Sequence, residues 1–135
     1  MYIIRKQFHF SAAHRLHSSR LSEEENRAAF GKCSNPHYHG HNYRLTVAVT
    51  GDVNPETGMV INFEQLKRIV NREIIDKLDH TNLDMDVDFL EGQVTTAENM
   101  ARLIWERLAP RLDGIRLYEI ELAETDDNIV VYRGE

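Results

Sequence analysis

Two segments of alternating hydrophobicity constrain the fold of this chain more than any other feature. In residues 2–14 and 39–50 the apolar side chains stand at every second position, which is the repeat of a β-strand with one buried face. The buried face takes the even positions of the first segment and the odd positions of the second. These positions are Ile4, Phe8, Phe10, Ala12 and His14, followed by His39, His41, Tyr43, Leu45, Val47 and Val49. Each predicted face therefore carries histidine at one end.

Two later segments repeat at the spacing of amphipathic helices. The first is expected to begin after Asn62, with Gln65 three residues on. The second is expected to begin after Thr95, with Glu98 three residues on, and to end at Pro110. Their apolar stripes consist of Phe63, Leu66, Val70, Ile74 and Leu78 in the first helix, and Met100, Ile104 and Leu108 in the second.

Shorter signals complete the pattern. Ser22 is followed by three glutamates, as in a capping box, and Gly31 stands where a short helix would end. Residues 79–92 are acidic and are expected to form a loop. Residues 115–125 and 129–133 are typical of a closing hairpin.

The order ββααββ predicts an α+β domain, with two helices on one face of a four-stranded antiparallel sheet. No repeat or linker divides residues 1–135, so we expect one domain. The single cysteine permits no intrachain disulfide, and no apolar run approaches the ~18 residues of a membrane helix. Without a signal-peptide pattern at the start, the chain is expected to be soluble and cytoplasmic.

Charge and histidine are unevenly distributed. The net charge of −6 argues against nucleic acid as a partner, yet residues 1–50 carry +4 and residues 51–135 carry −10. Six of the seven histidines lie within the first 41 residues. Either this is chance together with a solvated acidic face, or the first third builds a cationic site rich in imidazole.

A three-histidine metal site is the sharpest hypothesis. His39 and His41 are two apart on a predicted strand, so their imidazoles project from one face. His14 lies on the buried side of the first strand and can complete the set. Three protein ligands leave the fourth position of zinc open for water or substrate, as in catalytic sites. The alternative is that these are strand histidines satisfied by polar neighbours.

Cys33, the Asp79–His80 pair and Glu124 can each be interpreted in two ways. Cys33 is either a small buried hydrophobe or a thiolate, which would serve as a fourth zinc ligand or as a base. Asp79 and His80 are either ordinary residues at the end of a helix or a pair poised for proton transfer.

Glu124 follows Tyr118, Ile120 and Leu122 at alternate positions of the third long strand. A carboxylate on an apolar face is costly to bury unless it is paired. Glu124 is therefore either a core acid satisfied by the backbone or a group that grips a ligand with adjacent N–H donors, such as a pterin or guanine.

Five segments stand in order along the chain. They are FSAAHRL (10–16), GKCSNPHYHGHNY (31–43), LDHTNLD (78–84), VTTAEN (94–99) and ETDDNIVVYRGE (124–135). Together, and with matching gaps, they resemble the 6-pyruvoyltetrahydropterin synthase family over nearly the whole chain.

The resemblance implies a tunnelling fold and a homo-hexamer, a dimer of trimers. In it, three four-stranded sheets close into a twelve-stranded barrel with helices outside, which also pairs the sheet edges that a lone sheet leaves open. It implies a small-molecule substrate, 7,8-dihydroneopterin triphosphate, converted to 6-pyruvoyltetrahydropterin with loss of triphosphate. No redox cofactor is needed, because the side chain is oxidised at the expense of the ring.

Carried over motif by motif, the resemblance implies three groups of site residues. Three histidines would hold zinc, a cysteine base with an Asp–His relay would move protons, and a glutamate with three threonines would hold the pterin. In that order they are His14, His39 and His41; Cys33, Asp79 and His80; and Glu124, Thr95, Thr96 and Thr125.

Two other functions are weighed against this one. The 6-carboxytetrahydropterin synthases of queuosine biosynthesis share the substrate and the zinc triad, but their cysteine typically stands four residues before the His-x-His pair, whereas Cys33 stands six before His39. A non-enzymatic zinc or pterin-binding module would not require Cys33 or the Asp–His pair. His37 and Tyr38 depart from the smaller residues that animal members have before the first histidine of the pair.

Overall fold

A five-stranded sheet in the order β3-β1-β2-β4-β5 forms the centre of the computed structural model, which describes residues 1–135. The strands are β1 (Tyr2–His14), β2 (His39–Gly51), β3 (Thr81–Asn82), β4 (Arg116–Ala123) and β5 (Ile129–Tyr132). The α-helices are α1 (Glu23–Phe30), α2 (Phe63–Val70), α3 (Asp76–Leu78) and α4 (Ala97–Leu108). The α+β class expected from the sequence is confirmed. None of the helices has the length and apolarity needed to cross a bilayer.

β1 and β2 pair antiparallel along their whole length, from Tyr2 opposite Gly51 to His14 opposite His39. The predicted faces are confirmed. Phe10 lies opposite Tyr43, and their rings stack with centroids 4.7 Å apart. Because side chains alternate between faces, this register places the even residues of β1 and the odd residues of β2 against the helices.

The sheet has one strand more than predicted. Thr81–Asn82 pairs parallel with Ala12–Ala13 at the edge of β1, inside the segment expected to be a loop. The amide of His80 donates to the Ser11 carbonyl at 2.7 Å, and the amide of Leu83 donates to the Ala13 carbonyl at 2.8 Å. A strand of two residues is too short to show an alternating pattern in the sequence.

α2 and α3 form one helical segment, joined by a π-helical turn at Asn71–Ile75. Its buried side chains recur every four residues, longer than the ~3.6-residue turn of an α-helix, and the wider π turn keeps them on the face toward the sheet. These side chains are Leu66, Val70, Ile74 and Leu78. The prediction that Phe63 belongs to this stripe is wrong. Phe63 is 52% exposed, and its ring lies beneath the Lys6 ammonium group.

The helix ends follow local hydrogen bonds. Ser22 and Glu25 form the predicted capping box of α1, and Asn62 caps α2 by accepting from the Glu64 amide. The start of α4 is a correction. Thr96 and not Thr95 is its N-cap, since the Thr96 hydroxyl accepts from the Asn99 amide at 3.2 Å.

Candidate metal centre and active site

Three imidazoles meet where β1 ends and β2 begins. His14 lies directly opposite His39, and His41 lies opposite Ala12, so all three rings project from the helix-covered face. The ring centroids of His14 and His39 are 4.7 Å apart, those of His14 and His41 are 5.2 Å apart, and those of His39 and His41 are 4.9 Å apart. One nitrogen from each ring lies within 4.8 Å of the others. For all three nitrogens to bind one tetrahedral zinc ion at about 2.0–2.1 Å, the rings would have to move only modestly closer to one another.

Gly40 lets the two strands approach closely at this point. A Cβ atom added to it would lie 3.2 Å from the carbonyl oxygen of Ala12. A side chain between His39 and His41 would therefore require β1 to shift by a few tenths of an ångström, and glycine avoids this crowding at the pairing that holds the three rings together.

His14 is fixed by two buried neighbours. Its Nδ1 lies 3.0 Å from the carbonyl oxygen of Thr95. Since a carbonyl can only accept, Nδ1 carries the proton and the Nε2 lone pair is left for a metal. The Tyr43 hydroxyl lies 3.4 Å from the His14 Nε2. Burial is the main reason why the pKa of Tyr43 is raised, so this phenol stays neutral.

Two of the three histidines, His14 and His41, have the protonation state that a metal requires. Burial lowers the pKa of His14 below the usual 6.5, aided by the nearby His39 and opposed by the Thr95 hydrogen bond. Burial also lowers the pKa of His41, opposed by Glu124. Both imidazoles are therefore neutral at pH 7. The Nε2 atom of His41 is buried without a hydrogen-bond partner, as expected of a metal ligand.

Glu124 reaches the same cluster from the end of β4. Its carboxylate lies 3.5 Å from the His41 Nε2 and 4.0 Å from the His14 Nε2, and 22% of its side chain is exposed. The alternation that placed it on this face holds for Ile120 and Leu122. It fails at Tyr118, because a bulge pairs Leu117 with Val49 instead.

Asp79 and His80 form a separate pair beside β3, across β1 from the histidine cluster. The His80 Nδ1 lies 2.9 Å from an Asp79 carboxylate oxygen, and the other oxygen accepts from the Ser11 amide at 2.9 Å. These two hydrogen bonds lower the pKa of Asp79. The His80 side chain is 83% exposed and has a φ of 61°, a left-handed backbone conformation that a histidine seldom adopts.

Cys33 lies in the 3₁₀ turn Gly31–Ser34, half-buried and free. Its carbonyl accepts from the Leu16 amide at 2.7 Å, which ties this turn to the end of β1. The group of mutually close ligand atoms contains the three histidines and not the thiol. The Thr125 hydroxyl accepts from the Asn128 amide in the turn between β4 and β5.

Sequence reasoning named Thr95 and Tyr43 but missed that these residues, together with Asp84, support His14. Thr95 donates its hydroxyl proton to Asp84 at 2.8 Å, and the second carboxylate oxygen of Asp84 accepts from the Arg15 amide at 2.8 Å. Asp84 closes the LDHTNLD segment, but contacts across such sequence distances leave no local pattern. The one signal for Tyr43 is its place two residues after His41 on the same face.

Fold and site together define an α+β domain whose sheet carries a three-histidine cluster able to hold a metal ion. The family described as 6-pyruvoyl tetrahydropterin synthase matches residues 3–135, and the chain belongs to this family. A relative named 6-pyruvoyl tetrahydrobiopterin synthase, from Poecilia reticulata, is 53% identical over 134 residues, 99% of this chain and 90% of the relative.

Structural similarity agrees with the sequence. The structure of Caenorhabditis elegans 6-pyruvoyl tetrahydropterin synthase matches with a TM-score of 0.93 at 41% identity, covering 99% of this chain and 96% of that one. A 6-carboxy-5,6,7,8-tetrahydropterin synthase from Haemophilus influenzae is more distant, at 33% identity over 143 residues, 88% of this chain and 93% of the relative.

The cluster predicts about one transition-metal ion per chain, measured by elemental analysis of the purified protein. His39→Ala removes one ligand and should reduce the bound metal to a small fraction of that amount. Because burial lowers the pKa of His14 and His41, retention in the unmodified chain should extend below pH 6.5.

The matched control is His37→Ala, which removes a neighbouring imidazole outside the cluster and should leave the metal content unchanged. Equal metal content in His39→Ala and the unmodified chain would contradict the assignment.

Proposed function

We propose that the chain is a zinc-dependent lyase that converts 7,8-dihydroneopterin triphosphate to 6-pyruvoyltetrahydropterin with elimination of triphosphate. The observation that carries the proposal is the cluster of three mutually close imidazoles, in a chain of this family and with a carboxylate beside it. Held by His14, His39 and His41, zinc would supply a Lewis acid that acidifies the C–H bonds next to the side-chain oxygens of the substrate.

Glu124 is proposed to anchor the pterin. Its carboxylate is partly exposed beside the cluster, so its two oxygens can accept two hydrogen bonds from adjacent N–H groups of the amino-pyrimidinone ring. Because this carboxylate lies 3.5 Å from the His41 Nε2 atom, a ring anchored by Glu124 would lie close to the three histidines. We assign Thr95, Thr96 and Thr125 to the same pocket.

Cys33 is proposed as the general base. The hydrogen bond between Leu16 and Cys33 holds its turn against the end of β1, two residues beyond His14. A thiol that must stay reduced also suits the cytoplasm, which we include in the proposal.

Asp79 and His80 are proposed as the proton relay. Asp79 orients the imidazole through Nδ1 and leaves the Nε2 edge of an exposed ring for proton transfer. Because this pair lies across β1 from the histidine cluster of its own chain, it fits a site that is completed at contacts between subunits.

We propose that the chain assembles into a hexamer, a dimer of trimers. β1 has no partner beyond Ala12–Ala13 on its β3 side, and β5 is the opposite edge of the sheet. Such edges invite pairing with another chain. Ile129 and Val131 of β5 are 47% and 48% exposed, which suits burial in a barrel closed by three copies.

The direct test is incubation of the purified, zinc-loaded protein with 7,8-dihydroneopterin triphosphate, followed by identification of the products by mass. We expect 6-pyruvoyltetrahydropterin and inorganic triphosphate. A 6-carboxytetrahydropterin product with acetaldehyde would assign the chain to the carboxy reaction instead, and unchanged substrate would point to a binding module.

Cys33→Ala tests the base. The variant should keep its zinc and its substrate affinity, while kcat falls by roughly 10²–10⁴-fold, the range for loss of a positioned base. Stopped-flow or steady-state kinetics together with metal analysis measures both. Zinc loss as large as that in His39→Ala would instead make the thiol a ligand, and unchanged turnover would remove its catalytic role.

Val131→Lys tests the assembly. A charge on this edge should shift the mass measured by light scattering from about six chains toward smaller species, because the barrel seam cannot bury an unpaired ammonium group. Gln65→Lys adds the same charge on the exposed surface of α2 and should leave the hexamer intact. A monomer in the unmodified chain at full activity would refute the hexamer.

A further inference from the structure

A cationic cleft of about 490 Å³ lies beside the end of β1. We call it the Arg15 cleft. Its charged and aromatic wall residues are Arg15, His17, Arg20, Tyr38 and Asp84. Asp84 is the one acid among all the residues that line it, and both of its carboxylate oxygens already accept hydrogen bonds, from the Thr95 hydroxyl and the Arg15 amide.

The two arginines of this cleft are not neutralised within the chain, whereas the His17 imidazole lies 4.0 Å from the Glu23 carboxylate. Neither Arg15 nor Arg20 has a carboxylate oxygen within the 4.0 Å of an ion pair. The Nε atom of Arg15 is buried without a hydrogen-bond partner. A buried charged donor without an acceptor is costly, so the cleft is suited to a ligand that brings anionic oxygens.

The cleft also adjoins the histidine cluster. Arg15 directly follows His14, and Tyr38 directly precedes His39. Val94, another wall residue, precedes Thr95, and the Thr95 carbonyl accepts a hydrogen bond from His14. Tyr38 is held at a φ of 68°, a left-handed conformation that is strained for tyrosine and that recurs at functional sites.

A second cleft of about 480 Å³ lies on the other side of Arg15 and contains Arg27 and Lys32. Arg15 lines this cleft too, so it holds three cations against one acid, Glu23, and formal charge alone does not favour the Arg15 cleft. The Arg15 cleft is preferred for two other reasons. Its one acid, Asp84, is already hydrogen-bonded through both oxygens, whereas the Glu23 side chain is 80% exposed. Its wall residues Tyr38 and Val94 also adjoin His39 and Thr95.

We infer that the Arg15 cleft binds the triphosphate group of the substrate, an inference that rests on the proposed function. Guanidinium groups pair with phosphate oxygens through two parallel hydrogen bonds, and three linked phosphates need more than one cation. When a base removes the side-chain proton, the C–O bond to triphosphate breaks and its electron pair stays on the leaving oxygen. Arg15 and Arg20 stabilise the charge that develops there.

The test is calorimetric titration of the zinc-loaded protein with inorganic tripolyphosphate at fixed ionic strength, with the metal content checked afterwards. Arg15→Gln and Arg20→Gln should each raise the Kd at least about tenfold, the loss of one charge-assisted contact. Arg20 is exposed in a turn, so its substitution spares the fold even if that of Arg15 does not.

Two controls separate the cleft from general electrostatics. Arg68→Gln removes the same charge from the exposed surface of α2 and should change the Kd less than about twofold. 7,8-Dihydroneopterin without phosphates should bind Arg20→Gln as it binds the unmodified chain. An unchanged Kd in Arg20→Gln, an equal rise in Arg68→Gln, or a larger rise in Arg27→Gln than in Arg20→Gln would overturn the inference.

The outcome is separable from that of the proposed function, because the titration requires no turnover. If the Kd values follow the expected pattern but no pyruvoyl product forms, the inference about the Arg15 cleft stands and the proposed activity is refuted. If the protein turns over the substrate but Arg20→Gln changes neither Kd nor KM, the proposed activity stands and the inference about the Arg15 cleft is refuted.

Discussion

The antiparallel ladder between β1 and β2 is the constraint on which the candidate site depends. Its register sets His14 opposite His39 and Ala12 opposite His41, so the strands alone bring three imidazoles to one face. A slip of one residue would turn each strand's buried set toward the opposite face. The stack of Phe10 on Tyr43 and the burial of Phe8 and Leu45 oppose that slip. Packing of the hydrophobic core therefore fixes the positions of the polar groups.

Burial then decides the chemical state of those groups. His14 is fully buried, so an imidazolium there would lose its hydration, and the neutral ring is favoured. The Thr95 carbonyl selects the tautomer, and Asp84 holds both the Thr95 hydroxyl and the Arg15 amide. The Asp84 carboxylate thus connects the residues that support the histidine cluster to the wall of the Arg15 cleft. The two sites are mechanically linked through three adjacent hydrogen bonds.

Much of this arrangement could be predicted from local patterns. Strict alternation in β1 and β2 predicted both buried faces and the convergence of His14, His39 and His41, since a period of two leaves only one choice of face. Patterns failed where a tertiary contact outweighed a local preference. From the sequence, Thr95 is as suitable a helix N-cap as Thr96, but in the structure the Thr95 hydroxyl donates a hydrogen bond to Asp84 instead. β3 forms because the carbonyl groups of Ser11 and Ala13, at the edge of β1, accept hydrogen bonds from the residues that flank Thr81–Asn82. The sequence of Thr81–Asn82 does not indicate this pairing.

The three histidines lie on the paired strands, whereas Cys33 lies in the connection between them, residues 15–38. Insertions and deletions in that connection leave the strand register untouched, while a single added residue inside β1 or β2 would dismantle the histidine cluster. The scaffold can therefore keep the three histidines in place while the position of the thiol varies. Under the proposed function, a change in where the cysteine stands before the His-x-His pair is then a low-cost route to a different reaction that leaves the histidine cluster unchanged.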